Sequence, residues 1–148
     1  MLAIRPFQAR DQDEVKSLIL SGLVEHWGWL DSDKNPDLDN VYASYAAGFF
    51  LTAWIDNGLV GTGALILEVE GMTRVARVVR MSVASNARRQ GIGSAILVEL
   101  INQAKIRGCQ TIVLETTSTW QDAIGFYLAY GFCITSEHDG DTHFNIKL

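Results

Sequence analysis

The run from Arg74 to Glu115 constrains the fold more than any other part of the chain. It reads as a strand from Arg74 to Ala84, a polar loop over Ser85–Gln90, a helix from Gly91 to Arg107 and a strand from Thr111 to Glu115. Ile92, Ala95, Ile96, Leu100, Ile101 and Ala104 recur at helical spacing, and Gly108 supplies the stop. A strand, a crossover helix and a second strand in one sheet run parallel, and the crossover is right-handed. The rest of the chain must supply a sheet around that unit.

It does so with antiparallel elements. Ala3 to Gln8 reads as a short strand that Pro6 confines to a sheet edge. Asp11 is placed to cap a helix with Glu14 in a capping-box relation, and Val15, Leu18, Ile19 and Leu23 carry that helix to about Gly22–His26. The stretch HWGWLDSDKNP is a loop, and Asp37 to Ala47 reads as a second helix, with Asp37 available as its cap. Phe49–Ile55, Leu59–Glu70 and Arg74–Ala84 form a meander whose first turn, Asp56-Asn57-Gly58, places positive φ at Asn-Gly. A helix over Asp122–Tyr130 and strands over Phe132–Ser136 and Thr142–Leu148 complete the order β-α-α-β-β-β-α-β-α-β-β. The fold class is α/β of the α+β type, a mixed, mostly antiparallel sheet with helices on both faces.

Composition removes several functions. At 148 residues the chain suits one domain, large enough to bury roughly two thirds of its surface. A net charge of -5 argues against a nucleic-acid partner, which needs a concentrated basic surface. The longest apolar stretch, Tyr45 to Ile55, is too short for a membrane span, and the first residues carry charges where a signal peptide needs apolar ones. Cys109 and Cys133 make no metal spacing, so a reduced cytoplasmic setting without a metal is the expectation.

The chemistry is concentrated in Met81-Ser-Val-Ala-Ser-Asn-Ala-Arg-Arg-Gln-Gly-Ile-Gly-Ser94. A helix N-terminus offers free amides and the positive end of the dipole. Gly91 and Gly93 would let a phosphate approach the backbone, Arg88 and Arg89 add charge, and Ser94 adds a hydroxyl. Two familiar nucleotide motifs fit poorly. A P-loop needs four residues between its glycines and then Lys-Ser/Thr. A dinucleotide fingerprint would place a glycine at Ile96 and repeat its parallel units, although Glu115 stands where an acidic residue would follow.

Arg88-x-x-Gly91-x-Gly93 after Met81-Ser-Val83 resembles the acetyl-CoA-binding motif of the GCN5-related N-acetyltransferases. Ala123-Ile-Gly-Phe-Tyr127-Leu-Ala-Tyr-Gly131-Phe132 is similar to that family's Ala-x-x-x-Tyr-x-x-x-Gly-Phe segment, and the element order agrees along essentially the whole chain. The resemblance implies one N-acetyltransferase domain over residues 1–148 that uses acetyl-CoA as cosubstrate. By the same resemblance, the backbones of Met81 and Val83 would hold the pantetheine arm and acetyl carbonyl. The Met81 amide would face the oxyanion of acyl transfer. Arg88, Arg89, Gln90, Gly91, Ile92, Gly93 and Ser94 would hold the pyrophosphate. Tyr127 would protonate the departing thiolate. The family attacks directly, and no Ser-His-Asp or Cys-His arrangement suggests otherwise.

The base is less clear from the residues. Where some members carry a glutamate, four positions before Met81, this chain has Arg77. Glu115 is the candidate at a strand end, with Glu25 and His26 as others, while His138 and His143 read as structural. For the acceptor, Trp27 and Trp29, with Asp31, Asp33, Asp37 and Asp39 around them, could hold a cationic amine. Strand alternation puts Arg77 on the face of Met81 and Val83, where it could pair with an acceptor carboxylate. Trp120 and Gln121 precede the Tyr127 helix and stand near either substrate. A small-molecule or amino-acid-like amine is the expected acceptor, with a protein N-terminus or lysine second and a non-catalytic CoA-binding module as the rival. The resemblance is also compatible with a homodimer.

Overall fold

The computed structural model describes residues 1–28 and 34–148. Its elements are β1 (Leu2–Pro6), α1 (Gln12–Trp27), the short α2 (Val41–Ser44), β2 (Phe49–Ile55), β3 (Gly58–Glu70), β4 (Thr73–Val83), α3 (Ile92–Ile106), β5 (Thr111–Thr117), α4 (Gln121–Tyr130), β6 (Cys133–His138) and β7 (Asp141–Lys147). The strands form one sheet in the order β1-β2-β3-β4-β5-β7-β6. Among the described residues only β4 and β5 pair in parallel, and every other neighbour is antiparallel. The expected mixed sheet is therefore present, with Pro6 on an edge strand.

Each face of the sheet buries its own core. Ile96, Leu97 and Leu100 of α3 are fully buried with Leu51, Leu65, Ile112, Leu114 and Phe144. Burying each such side chain contributes about 1.5–3 kcal/mol. Met81, Val83 and the α4 residues Ala123, Ile124 and Phe126 pack against the same cluster. On the opposite face Val15 and Ile19 of α1 meet Leu38, Val41, Tyr45, Phe50 and Ala64.

Four local expectations are corrected. The helix expected over Asp37–Ala47 is a 3-10 turn (Pro36–Asp39) followed by α2. Asn40, at φ -150 and ψ 85, separates them, and its side chain caps α2 by accepting from the Ala43 amide at 3.0 Å. Asp37 is not a cap; it is drawn into an ion pair with Arg80. Asp11 does not cap α1 either. Its carboxylate accepts from the Gln8 amide at 2.8 Å and from Arg5 at 2.7 and 2.9 Å, closing the 3-10 turn before α1. In the first hairpin the positive φ values fall on Asp56 (50°) and Asn57 (68°), while Gly58 already pairs with Ile55. That is the two-residue turn whose twist suits a hairpin, shifted one residue from Asn-Gly.

The fourth correction concerns the alternation of β4. Thr62 pairs with Ser82 and Ala64 with Val79, so Gly63 alone faces both Arg80 and Met81. This is a β-bulge, and Arg80 sits in the left-handed region at φ 55. Before the bulge Ala76 and Val78 face the α3 core; after it Met81 and Val83 do. Arg77 and Val79 precede the change of parity and lie on the α1 face, so Arg77 does not share a face with Met81 and Val83. Gly63 is required here for space. A Cβ would stand 2.6 Å from Ile96, 2.7 Å from Met81 Sδ and 3.0 Å from Leu100, so only glycine lets α3 lie against the bulge.

Candidate active site

β4 and β5 share only three paired positions, Val75 with Thr111, Ala76 with Ile112 and Arg77 with Val113. Beyond them both strands continue, to Val83 and Thr117, and their pairing stops. The carboxyl ends of this parallel pair therefore open as a wedge, and the bulge presents Met81 and Val83 beside it. Crevices beyond the carboxyl ends of parallel strands are where open α/β sheets bind ligands.

α3 begins at the end of β4. The first intrahelical bond runs from the Ala95 amide to the Gly91 carbonyl at 3.0 Å. The amides of Ile92, Gly93 and Ser94 precede it and carry the positive end of the helix dipole. Gly91, the N-cap, has φ 78 and nothing within 4 Å of the position a Cβ would take. The conformation demands glycine while the space beside it stays open, as an anion cradle requires. Arg89 and Gln90 are exposed next to it, whereas the Ile92 side chain is 2% exposed in the core and leaves only its amide for binding. Gly93 brings α4 close: a Cβ there would stand 3.5 Å from the Phe126 ring. The two motif segments, distant in sequence, thus meet at the start of α3.

Tyr127 follows Phe126 and is 7% exposed. Its ring lies 5.1, 5.7 and 5.8 Å from those of Phe126, Phe132 and Phe144. No fully buried side-chain oxygen or nitrogen among the described residues lacks a partner. The Tyr127 hydroxyl has none, so its tip reaches solvent from an otherwise buried ring. Burial pushes its pKa up, and it keeps its proton throughout the ordinary pH range.

The expected acceptor and base residues are arranged differently. Arg77 is held between two carboxylates, Glu68 at 3.1 Å and Glu115. Glu115 is thus engaged on the α1 face and Arg77 is no free anion receptor. Arg88, expected at the pyrophosphate, is tied to α1: it pairs with both oxygens of Glu25 and donates from Nε to the Val83 carbonyl at 3.3 Å. That hydrogen bond holds the Glu25 carboxyl below its usual range, which makes it a poorer proton acceptor while paired. Trp27 ends α1 with its ring 5.5 Å from Trp120, and His26 stacks on the same indole at 4.3 Å. With Glu25, Gln121 and Asp122 these rings line a recess of about 450 Å³. A neighbouring cleft of about 600 Å³ runs along α1 past Asp13, Glu14 and Glu25 to Val83 and Arg88. Trp29, Asp31 and Asp33 lie outside the described residues. His138 and His143 stack on each other at 4.3 Å on β6 and β7.

Sequence reasoning missed Arg80. Its guanidinium donates to Asp37 at 3.0 and 2.7 Å, and Asp37 also accepts from the Tyr45 hydroxyl at 2.6 Å. The available signal was Val78-Val79-Arg80-Met81, an arginine breaking an apolar run inside a central strand.

A mostly antiparallel sheet, one splayed parallel pair and a helix N-terminus at the splay together define the acyl-CoA N-acyltransferase fold. The chain belongs to the acetyltransferase (GNAT) family, whose model matches residues 15–132, and by class it is an acetyl-CoA-dependent N-acetyltransferase. It is similar to N-alpha-acetyltransferase 30 of Schizosaccharomyces pombe, 29% identical over 106 residues covering 66% of this chain and 71% of that protein. Rattus norvegicus N-acetyltransferase 8F1 is 31% identical over 105 residues, 68% of this chain and 48% of that protein, so the chain spans about half its length. In fold it is similar to a GNAT acetyltransferase from Staphylococcus aureus Mu50 (TM-score 0.89, 24% identity, 100% of this chain and 99% of that one). It is also similar to YncA of Salmonella typhimurium, a putative acetyltransferase solved with acetyl-CoA (TM-score 0.81, 20% identity, 99% and 94%).

Proposed function

We propose that residues 1–148 act as one domain that moves the acetyl group of acetyl-CoA to a primary amine on a small-molecule or amino-acid-like acceptor, by direct attack of the amine. The observation that carries this reading is the meeting of the open strand edge after Arg77 with the free amides of Ile92, Gly93 and Ser94. The residues fit the donor. The amides around Gly91 and the side chains of Arg89, Gln90 and Ser94 would hold the pyrophosphate. The backbones of Met81 and Val83 would hold the pantetheine arm and acetyl carbonyl. Arg88 would join them on leaving Glu25. Acetyl-CoA supplies an activated thioester carbon.

Tyr127 is the donor to the leaving sulfur. Its raised pKa keeps the hydroxyl protonated until negative charge develops beside it. The recess between α1 and α4 suits the acceptor, because Trp27 and Trp120 offer ring faces and Glu25 and Asp122 offer charge to an ammonium. Glu115 is the base in this reading and must share its carboxylate with Arg77; Arg77 borders the acceptor. A cytoplasmic setting fits an acetyl-CoA user, and no described helix is long and apolar enough to cross a membrane. A homodimer is compatible with the family.

A second reading, acetylation of a protein N-terminus, draws on the likeness to N-alpha-acetyltransferase 30. One assay separates them: release of CoA thiol measured against a panel of small amines, amino acids, peptides with free N-termini and lysine peptides. Turnover on small amines supports the proposal, and turnover confined to peptides replaces it with the second reading. Acetyl-CoA binding without thiol release on any acceptor would reduce the chain to a CoA-binding module.

A further inference from the structure

The bulge in β4 rests on an unusual residue. Arg80 holds φ 55, a conformation that is strained for a non-glycine residue and persists only where its surroundings enforce it. Both ends of Arg80 are fastened. Its carbonyl accepts from the Thr62 hydroxyl at 2.8 Å, across the strand pair that contains the bulge. Its guanidinium makes a two-pronged bond to Asp37, at 3.0 and 2.7 Å. Asp37 is fixed in turn by the Tyr45 hydroxyl at 2.6 Å, and Tyr45 belongs to the core under α1 and α2. The two ionic side chains are only 18% and 28% exposed, so the pair is shielded well enough to be directional.

We infer that Arg80, Asp37 and Tyr45 form a positioning device that holds the β4 bulge, and with it the Met81 backbone, in the geometry acyl transfer needs. The device joins the two faces of the sheet. Asp37 lies in the 3-10 turn Pro36–Asp39, bonded to Tyr45 of the α1–α2 core, while Met81 faces the α3 core. Order in that turn is thereby transmitted to the strand edge through one ion pair. None of the three residues is assigned contact with either substrate; they act through the backbone of residue 81. The inference rests on the proposed N-acetyltransfer only for its kinetic arm.

The test compares Asp37→Asn, Arg80→Gly and Tyr45→Phe with wild type in two measurements. The first is hydrogen exchange by mass spectrometry on the peptide spanning residues 79–84, which needs no activity. Asp37→Asn and Arg80→Gly should exchange there about 10-fold faster or more, while α3 keeps its protection. The second is kinetic. Misplacing the bulge should lower kcat by about 10- to 100-fold and weaken acetyl-CoA Kd by several-fold less than that, because the amides at the start of α3 stay in place, with a smaller fall for Tyr45→Phe. Arg80→Gly is informative because glycine accepts φ 55 freely and lacks only the anchor. Wild-type kcat and wild-type exchange in Arg80→Gly would overturn the inference. So would a loss of kcat that tracks loss of acetyl-CoA affinity or of melting temperature, since that is plain destabilisation. If Asp37→Asn and Arg80→Gly fail to fold, Tyr45→Phe, which removes a single hydrogen bond, decides by the same two measurements. Wild-type protein inactive on every acceptor would defeat the proposed function and leave the exchange measurement to decide this one.

Discussion

The two faces of the sheet are held by different forces. The α3–α4 face is joined by apolar burial, from Ile96, Leu97 and Leu100 to Tyr127 and Phe144. The α1–α2 face adds a ring of ion pairs to its smaller core: Arg5 with Asp11, Lys16 with Asp39, Arg77 with Glu68 and Glu115, Arg80 with Asp37, and Arg88 with Glu25. Apolar packing is non-directional and does not depend on the protonation of side chains, so it holds the start of α3 in one arrangement across a wide pH range. Ion pairs are directional and depend on pH and salt. The α1–α2 face is the adjustable half of the molecule, and the α3–α4 face is the fixed half.

The comparison breaks most sharply at Gly91. Gly91→Glu combines a disfavoured φ with a like charge facing phosphate, and should weaken acetyl-CoA binding about 100-fold or more, equivalent to about 2.7 kcal/mol. Loss of the thermal shift with acetyl-CoA is the check, and an undiminished shift would remove the cradle from the proposal. Tyr127→Phe keeps the ring cluster and removes only the hydroxyl of that residue. It should cost about 100-fold in kcat with acetyl-CoA affinity retained; unchanged turnover excludes the hydroxyl from the reaction. Gly63→Ala tests packing alone on the fixed face. The added methyl collides with Ile96 and Leu100, and denaturant unfolding should register a loss of about 1–3 kcal/mol.

Acid should act on the adjustable face. The Arg5 hydrogen bond, against a smaller effect of burial, holds the Asp11 carboxyl below its usual range. For Asp37, burial pushes the pKa up, but the Arg80 and Tyr45 hydrogen bonds outweigh it and the carboxyl also ends below its usual range. A carboxyl with a lowered pKa in the fold contributes stability that is complete above the unfolded value, about 3.9. That contribution is lost as pH falls through the lower folded value. Denaturant melts between pH 6 and pH 2 (assay conditions) should therefore show a steeper decline in wild type than in an Asp11→Asn variant. Parallel declines would place the acid sensitivity elsewhere. The smallest effect belongs to Lys16→Ala, an exposed pair worth about 0.2–1 kcal/mol, fading in high salt.

The same division explains what could be read from sequence. Residues 81–94 are one continuous string, and periodicity and glycine placement suffice to place the end of β4 and the glycine-capped start of α3. The order of strands and helices follows from local pattern in the same way. The α1–α2 face resists such reading because its partners are far apart in the chain: Asp37 meets Arg80, Glu25 meets Arg88 and Arg77 meets Glu115 only through the folded sheet. Asp37 looks like a helix cap and Arg77 like a free receptor until those partners arrive. Alternation alone puts Arg77 on the wrong face because it presumes a regular strand, and the bulge shifts parity after Val79. The recess between Trp27 and Trp120 joins residues on either side of four strands and a crossover helix, which no spacing rule connects.

The bulge also makes chain length itself a determinant of chemistry. Ala76 and Val78 face the α3 core at even positions, and Met81 and Val83 face it at odd ones. Removing residue 80 alone would let Met81 step into the even frame. Every downstream side chain would keep its present face, Gly63 would face a single partner, and the strand would run straight. The molecule would retain its core, its cradle and its helices, and lose only the outward step at the strand edge. A single residue thus separates a straight strand from a bulged one.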